Sequence, residues 1–233
     1  MEKNEAISRL VGQTSYSIND LMEIVEILRG EGGCPWDREQ THESIRNDLI
    51  EETYEVIEAI DTNNPTLLRE ELGDLLFQVL FHAQIEQEKG SFALDAIITE
   101  ISAKMIHRHP HVFGSVVVEN TGEVLSNWEN IKTEEKQRNT VKDKLNAIPP
   151  MLPSLMRAQK VVKKSDLYGD ISQEELLADI QDQIFVLQCQ TEPNDTSKML
   201  GKLLFTISAY AQKQGIPAEQ ALFEEINQFI DKI

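Results

Sequence analysis

Four carboxylates lie in helical stretches of the sequence where leucine would pack at lower cost. Glu52 and Glu55 lie in LIEETYEVIEAI, and Glu71 and Asp74 lie in LREELGDLLFQVLFHAQ. The members of each pair are three residues apart, so on a helix they lie on adjacent turns of the same side. A buried carboxylate is costly when it is isolated, and it normally takes up a proton, pairs with a cation or binds a metal.

The turn cluster DTNNP (61–65) separates the two stretches and predicts that their helices are antiparallel neighbours. Two acidic sides would then meet, and uncompensated carboxylates raise one another's pKa. A divalent cation removes the repulsion, and ligands that are all oxygen suit Mg²⁺ or Mn²⁺ rather than zinc. The alternative, a pair of solvated acidic stripes, stays open most clearly for Glu52 and Glu55. The second helix is apolar on nearly every face, so we expect Glu71 and Asp74 to lie inside or at the base of a cleft.

Two cations four residues apart are candidates for binding an anionic substrate. Lys104 and Arg108, in AKMIHRH, share one face of a predicted helix. Such a pair could clamp phosphate, with the arginine able to bind two oxygens at once. The alternative is a solvated basic last turn that complements the helix dipole.

Three histidines with HxHxH spacing, His107, His109 and His111, raise the question of a zinc site. Pro110 interrupts the helix, the spacing suits a strand, and no acidic fourth ligand lies nearby. We therefore interpret these histidines as capping or packing residues. Trp36, in the helix-breaking segment GEGGCPWD (30–37), is also interpreted as a packing residue.

The charge balance narrows the classes of partner. The 233 residues include 40 acidic and 22 basic side chains, a formal net charge of -18. Such a surface repels nucleic acid and anionic lipid, so neither partner is expected. The first ten residues contain no apolar core of signal-peptide length, and no window approaches 18 apolar residues, so we expect a cytoplasmic protein. Cys34 and Cys189 lack metal-site spacing and are expected to be reduced thiols.

Helical periodicity dominates the chain, and the single β-branched run is the short GSVVVEN (114–120). The predicted fold class is all-α, with a first half like a four-helix bundle. The predicted helices span 18–29, about 41–61, about 66–89, about 92–108 and 126–139. The proline-rich IPPMLP (148–153) is the best linker candidate.

An internal resemblance predicts that the bundle unit is duplicated. LGDLLFQVLFHAQ (72–84) and LGKLLFTISAYAQ (200–212) are identical at seven of thirteen positions. We therefore predict a catalytic domain over residues 1–146 and a degenerate second copy over 147–233. In this alignment Glu71 and Asp74 meet Met199 and Lys202. Upstream, where the alignment needs a shorter spacer, Glu52 and Glu55 meet Gln183 and Val186, so all four carboxylates are lost from the second copy. The second copy is not expected to hold the same metal.

Several blocks of the sequence, in this order, are similar to the MazG family of nucleoside triphosphate pyrophosphohydrolases. They are GCPWDREQTHESI (33–45), EETYE (51–55), EELGD (70–74), KMIHRHPHVFG (104–114) and WENIK (128–132). The family's pattern is EExxE followed after a spacer by ExxD, and here fifteen residues separate Glu55 from Glu71. The resemblance is close over about residues 18–138 and weaker from 147 onward.

This resemblance implies an all-α dimer that needs Mg²⁺ and hydrolyses nucleoside triphosphates to the monophosphate and pyrophosphate. Its metal ligands would be Glu52, Glu55, Glu71 and Asp74. Glu51, or an unshared oxygen of Glu55, could accept a proton from the attacking water. Lys104, Arg108 and Trp128 would lie at the nucleotide, although a core or dimer contact is an equal alternative for the tryptophan.

The sequence raises two other classes of function. One is a non-catalytic all-α dimeric protein that serves interaction or regulation, which the intact first set of carboxylates disfavours. The other is a di-iron bundle, which uses Glu-x-x-His motifs that neither acidic helix contains.

Overall fold

The computed structural model describes residues 2–135, 140–189 and 192–233. Over these ranges the regular structure is helical, without strands, which confirms the all-α prediction. The chain divides into two compact units, Met1–Val117 and Val118–Ile233, called here the first and second units. None of the helices over the described residues has the length and apolar character needed to cross a membrane.

The first unit contains seven helices over the described residues. They are α1 (Glu2–Gly12), α2 (Ile18–Arg29), α3 (Pro35–Glu39), α4 (Arg46–Asp61), α5 (Pro65–Glu88), α6 (Leu94–Arg108) and α7 (Pro110–Phe113). The four helices predicted over this part of the chain are present as α2, α4, α5 and α6. The helix predicted from about residue 41 begins at Arg46, because residues 42–45 form a turn. Helix α1 was not among the predicted elements.

Helices α4 and α5 form the hairpin that carries the acidic residues. Asn64 caps α5, because its side-chain oxygen accepts hydrogen bonds from the amides of Thr66 and Leu67, each at 3.2 Å. Pro65 follows at the first helical position, where a missing N–H costs nothing. Asn63 takes a positive φ of 50°, a conformation that asparagine tolerates better than most residues. The predicted turn therefore reverses the chain within three residues.

A buried arginine fixes the base of this hairpin. Arg29, at the end of α2, donates from Nε and Nη2 to the two carboxylate oxygens of Glu88 on α5, both at 2.8 Å. Its guanidinium also lies 4.9 Å from the ring centroid of Phe81. Beside it is the core of the unit, which is formed by Val25, Ile45, Leu80, Phe81 and Ile85.

The GCPWD segment (33–37) joins the tight turn after α2 to the start of α3. A Cβ at Gly33 would lie 2.2 Å from the carbonyl oxygen of Leu28, so the backbone can pass there only with glycine. Arg29 Nη1 donates to the carbonyl of Asp37 at 2.6 Å and thereby holds α3. Trp36 is 60% exposed, so its interpretation as a packing residue was wrong. Backbone carbonyls, rather than the indole, hold this turn in place.

The second unit has its own helices and core. The helices are α8 (Thr121–Glu135), α9 (Val141–Asn146), α10 (Ser154–Ser165), α11 (Gln173–Gln188), α12 (Pro193–Gln214) and α13 (Ala218–Ile230). The core cluster consists of Val162, Leu176 and Ala209. Helix α8 corresponds to the one predicted over 126–139, of which residues 136–139 lie outside the described residues. The predicted linker 148–153 is free of helix.

The boundary between the units lies at Val117 and Val118 by internal packing. The predicted boundary at 146 and 147 concerns a different property, the place where a duplicated sequence unit begins. It stays a prediction, as does the duplication itself.

Candidate metal centre

Three of the four predicted metal ligands come together on the α4–α5 hairpin. Glu52 and Glu55 of α4 and Glu71 of α5 each place one carboxylate oxygen so that all three atoms lie within 4.8 Å of one another. This separation suits a shared divalent cation, whose bonds to carboxylate oxygens are about 2.0–2.6 Å long. We call Glu52, Glu55 and Glu71 the acidic cluster.

Burial differs among the predicted ligands. Glu71 is buried, with 8% of its surface exposed, whereas Glu52 and Glu55 are half-buried. Asp74 is exposed, so the expectation that it lies inside the fold was wrong. It nevertheless lies close enough to the acidic cluster for its charge to raise the pKa of both Glu52 and Glu71.

The electrostatics of the acidic cluster favour a proton or a metal. Burial raises the pKa of the Glu71 carboxyl, and the neighbouring Glu55 and Asp74 charges raise it further. The pKa of Glu52 is also raised, first by burial and then by Asp74, Glu55 and Glu71. Each carboxylate therefore makes the charged form of its neighbours less favourable. The alternative of independent solvated stripes does not fit these three residues.

The donor set of the acidic cluster fits a hard divalent cation. Every donor is a carboxylate oxygen, the ligand type that Mg²⁺ and Mn²⁺ prefer. Glu71 is buried, whereas Glu52 and Glu55 are half-buried, so one side of the cluster is partly accessible to solvent. A cation held there could take its remaining ligands from a substrate or from water. Over the residues that the structure describes, this is also the single group of acidic, His or Cys side chains with metal-site spacing.

The exposed Glu51 lies outside the acidic cluster. Its neighbour Glu55 lies within it, where its charge raises the pKa of both Glu52 and Glu71. A proton acceptor must lie within hydrogen-bond reach of the proton it accepts. Of the two candidates for that role, Glu55 is therefore the one placed among the other carboxylates.

The predicted cations lie on the last turns of α6, which packs on α5. Arg108 is buried, with 7% of its surface exposed, and it makes interactions within the fold. The alternative of a solvated basic turn therefore fails for Arg108. Lys104 is half-buried on the same face of the helix. Trp128 is a half-buried residue of α8 in the second unit.

Over the residues that the structure describes, the three histidines with HxHxH spacing are not part of a group of side chains close enough together to bind one metal ion. His109 Nδ1 lies 2.5 Å from the carbonyl oxygen of Met105, and its ring lies 5.6 Å from that of His111. The His109 contact closes the end of α6, as expected of a capping residue.

A second polar network in the first unit had no sequence signal. His42 Nδ1 lies 2.7 Å from His82 Nδ1, and His42 Nε2 lies 2.6 Å from a carboxylate oxygen of Glu86. Hydrogen bonds from Lys89 and His42 lower the pKa of Glu86 to about 2. Forty residues separate the two histidines, so neither periodicity nor spacing could pair them in advance.

The four positions of the second unit that align with the predicted metal ligands hold side chains of other types. Gln183 Nε2 donates to Thr206 Oγ1 at 2.9 Å, and Lys202 is exposed on α12. Val186 is exposed and Met199 is half-buried. Side chains of these types offer no carboxylate to a hard cation.

The fold and the acidic cluster together define an all-α protein with a candidate divalent-metal site on one helical hairpin. A sequence model of the MazG nucleotide pyrophosphohydrolase domain matches residues 40–113, the range that contains this hairpin. The chain belongs to the MazG family, as its similarity to full-length relatives also shows.

Three of these relatives carry related names. The nucleoside triphosphate pyrophosphohydrolase/pyrophosphatase MazG of Thermotoga maritima is 37% identical over 215 residues, which cover 91% of this chain and 82% of the relative. The nucleoside triphosphate pyrophosphohydrolase of Escherichia coli K12 is 42% identical over 215 residues, or 88% of this chain and 81% of the relative. The nucleoside triphosphate pyrophosphohydrolase of Mycobacterium tuberculosis is 36% identical over 165 residues, which cover 70% of this chain and 49% of the relative.

Proposed function

We propose that this protein hydrolyses nucleoside triphosphates to the nucleoside monophosphate and pyrophosphate, in the manner of a nucleotide-pool house-cleaning enzyme. The observation that carries the proposal is the meeting of three carboxylates within 4.8 Å on a hairpin that lies inside the range matched by the family's sequence model. Relatives that cover most of the chain are named for the same reaction. The resident cation of this proposal is Mg²⁺, with Mn²⁺ as a substitute.

In this proposal Glu52, Glu55, Glu71 and Asp74 hold the metal. Glu71 is the fixed ligand because its carboxylate is buried, and Asp74 is the adjustable one because it is exposed. When bound, Mg²⁺ would neutralise part of the phosphate charge and lower the pKa of a water molecule. Without it, a triphosphate would meet only negative charge at the acidic cluster, which explains why a cation is required.

The proton of the attacking water needs an acceptor on the chain. Glu55 is favoured for this role because it is half-buried and belongs to the acidic cluster, where its charge raises the pKa of Glu52 and Glu71. Its second oxygen is available when the first is a ligand, since a carboxylate offers about four lone-pair positions. Glu51 is the alternative acceptor, and it requires the substrate complex to bring water to an exposed side chain.

Lys104, Arg108 and Trp128 are proposed to bind the nucleotide. The half-buried Lys104 would meet phosphate as a point charge, whereas the buried Arg108 is held in place to bind two oxygens. Trp128 would stack on the base or cover it.

We also propose that the protein is a homodimer. Leu72, Leu76 and Val79 form an apolar ridge along α5 and are each 38–49% exposed. The ridge follows the i, i+4, i+7 spacing of a helix-packing stripe, and an exposed apolar stripe favours a partner surface. The corresponding positions 128 residues later, Leu200, Leu204 and Ile207, are 39–47% exposed, which also supports the proposed duplication. Light scattering measures the molar mass in solution. We expect the mass of a dimer for wild type and the mass of a monomer for Leu76→Glu, because the introduced carboxylate would lie in the apolar interface.

The reaction is tested by incubating the protein with a panel of nucleoside triphosphates and Mg²⁺ and separating the products by chromatography. We expect monophosphate and pyrophosphate, no turnover in EDTA, and no turnover by Glu71→Gln. Glu58→Gln, a change of the same kind on the exposed side of α4, is the matched control and should keep wild-type activity. Wild-type activity in Glu71→Gln would show that the hairpin is not the active site.

A further inference from the structure

The second unit contains a cavity of about 410 Å³ whose lining is strongly basic. Over the part of the chain that the structure describes, five lysines line it: Lys132, Lys144, Lys160, Lys163 and Lys164. The single acidic residue in this described lining, Glu129, pairs with Lys132 at 3.4 Å. In a chain with a net charge of -18, so many ammonium groups around one small space require an explanation.

Helix α10, which carries three of the lysines, packs firmly into the second unit. Its buried Gln159 donates to the carbonyl of Ile216 at 2.7 Å and accepts from the amide of Ala218 at 3.0 Å. Val162, another residue of this helix, belongs to the core of the second unit. Lys160 and Lys163 are therefore exposed side chains on a helix that these contacts hold in place, and not on a loop.

Three lysines of the cavity, Lys144, Lys160 and Lys163, differ from a lysine of the second unit that has a structural role. Lys213 donates to the carbonyls of Gly169 and Ile171 and so closes a turn. For Lys144, Lys160 and Lys163, the described residues provide no ion pair or hydrogen-bond partner. Around a space of this size, charges lie within roughly one Debye length of each other, about 10 Å at 0.1 M salt, so they repel. An anion in the cavity would remove that repulsion.

We propose that this lysine cavity is a binding site for a short chain of linked phosphates, of which inorganic pyrophosphate is the simplest. Several point charges around a confined space suit a compact anion with three or more charges. Among the described residues, the rest of the lining is Asn130 and Thr133, neither of which has an aromatic ring to stack on a base. The phosphates, and not a nucleoside, are the part that is recognised. Long nucleic acids are excluded by the overall negative charge.

The site is independent of the acidic cluster and of the proposed hydrolysis. Pyrophosphate binding is therefore measured by calorimetry on the full-length protein in EDTA at about 0.1 M salt, where the acidic cluster repels the ligand. Lys160→Ala/Lys163→Ala should weaken binding at least about tenfold, because two charged hydrogen bonds are lost. The control Lys198→Ala/Lys232→Ala removes two charges from exposed lysines of the same unit and should bind as wild type does.

Two further arms identify the ligand. Orthophosphate should bind at least about tenfold more weakly than pyrophosphate, since it engages fewer lysines. A non-hydrolysable nucleoside triphosphate should bind no more tightly than tripolyphosphate. Pyrophosphate should also raise the melting temperature of wild type and control but not that of the Lys160/Lys163 variant.

Several results would overturn the proposal. They are absence of pyrophosphate binding up to about 5 mM, equal losses in the two double variants, and tighter binding of the nucleotide than of tripolyphosphate. The last result would mean that a base is recognised. Loss of hydrolysis in Glu71→Gln with pyrophosphate binding retained would separate this site from the active site.

Discussion

Replacing Glu71 by glutamine should abolish turnover while leaving the fold intact. Glu71 is the buried member of the acidic cluster and supplies one of its three oxygens within 4.8 Å. Glutamine keeps the size and one oxygen of the side chain but removes the charge that holds a hard cation. Loss of a metal ligand costs several kcal/mol at the transition state, and about 2.7 kcal/mol already corresponds to a hundredfold. We therefore expect kcat/KM to fall at least about a hundredfold.

The same substitution should have the opposite effect on the metal-free protein. Burial and the neighbouring carboxylates raise the pKa of Glu71 above its ordinary value, so the folded state binds the proton more tightly than the unfolded state. Stability then falls as pH rises from the ordinary glutamate pKa through the raised one. Above this window Glu71→Gln in EDTA should melt at a higher temperature than wild type, and below it the difference should vanish.

Melting curves from pH 4 to pH 8, in EDTA and in Mg²⁺, measure both effects in one experiment. Mg²⁺ should stabilise wild type and Glu58→Gln but not Glu71→Gln, because binding to the folded state alone raises its stability. A variant that is less stable than wild type in EDTA at pH 8, or one that Mg²⁺ still stabilises fully, would refute the account of the acidic cluster.

Three further predictions concern the rest of the chain. Lys104→Ala should raise KM for the nucleotide about tenfold or more, with a smaller change in kcat. Unchanged KM and kcat would mean that Lys104 does not bind the nucleotide. Glu71→Ala should leave no residual hydrolysis, because the aligned positions of the second unit offer Gln183, Val186, Met199 and Lys202 in place of carboxylates; turnover that survives would mean that the second unit is active. Arg29→Lys should lower the free energy of unfolding by about 1.5–3 kcal/mol, measured in urea against the exposed Arg38→Lys, because the two bonds to Glu88 cannot both form.

Periodicity and turn chemistry predicted the α4–α5 hairpin well. The apolar spacing, the Asn64–Pro65 signal and the three-residue intervals between carboxylates are all local, and each has a direct physical counterpart in the structure. The meeting of Glu52, Glu55 and Glu71 follows from them, because a three-residue turn leaves few ways to pack two antiparallel helices.

Burial was predicted less well, because it depends on what covers a surface. The apolar character of α5 suggested that Asp74 lies inside, yet Asp74 is exposed and Leu72 and Leu76 on the same helix are exposed too. The number of apolar residues in a helix does not show whether the surface that packs against them belongs to the same chain. Trp36 was misjudged for a related reason, since the turn around it is held by backbone carbonyls.

Contacts between distant residues had no sequence signal at all. The pairing of Arg29 with Glu88 spans 59 residues, and the lysine cavity gathers side chains from α8, α9 and α10. Such groups become visible only when the helices are placed, because no fixed spacing in the chain encodes them.

In the proposed reaction, water attacks the α-phosphorus of a nucleoside triphosphate at the acidic cluster. The most direct test is hydrolysis in ¹⁸O-labelled water with Mg²⁺, followed by mass spectrometry of both products. The account predicts one ¹⁸O atom in the nucleoside monophosphate and none in pyrophosphate. Label in pyrophosphate, or release of nucleoside diphosphate and orthophosphate, would contradict it.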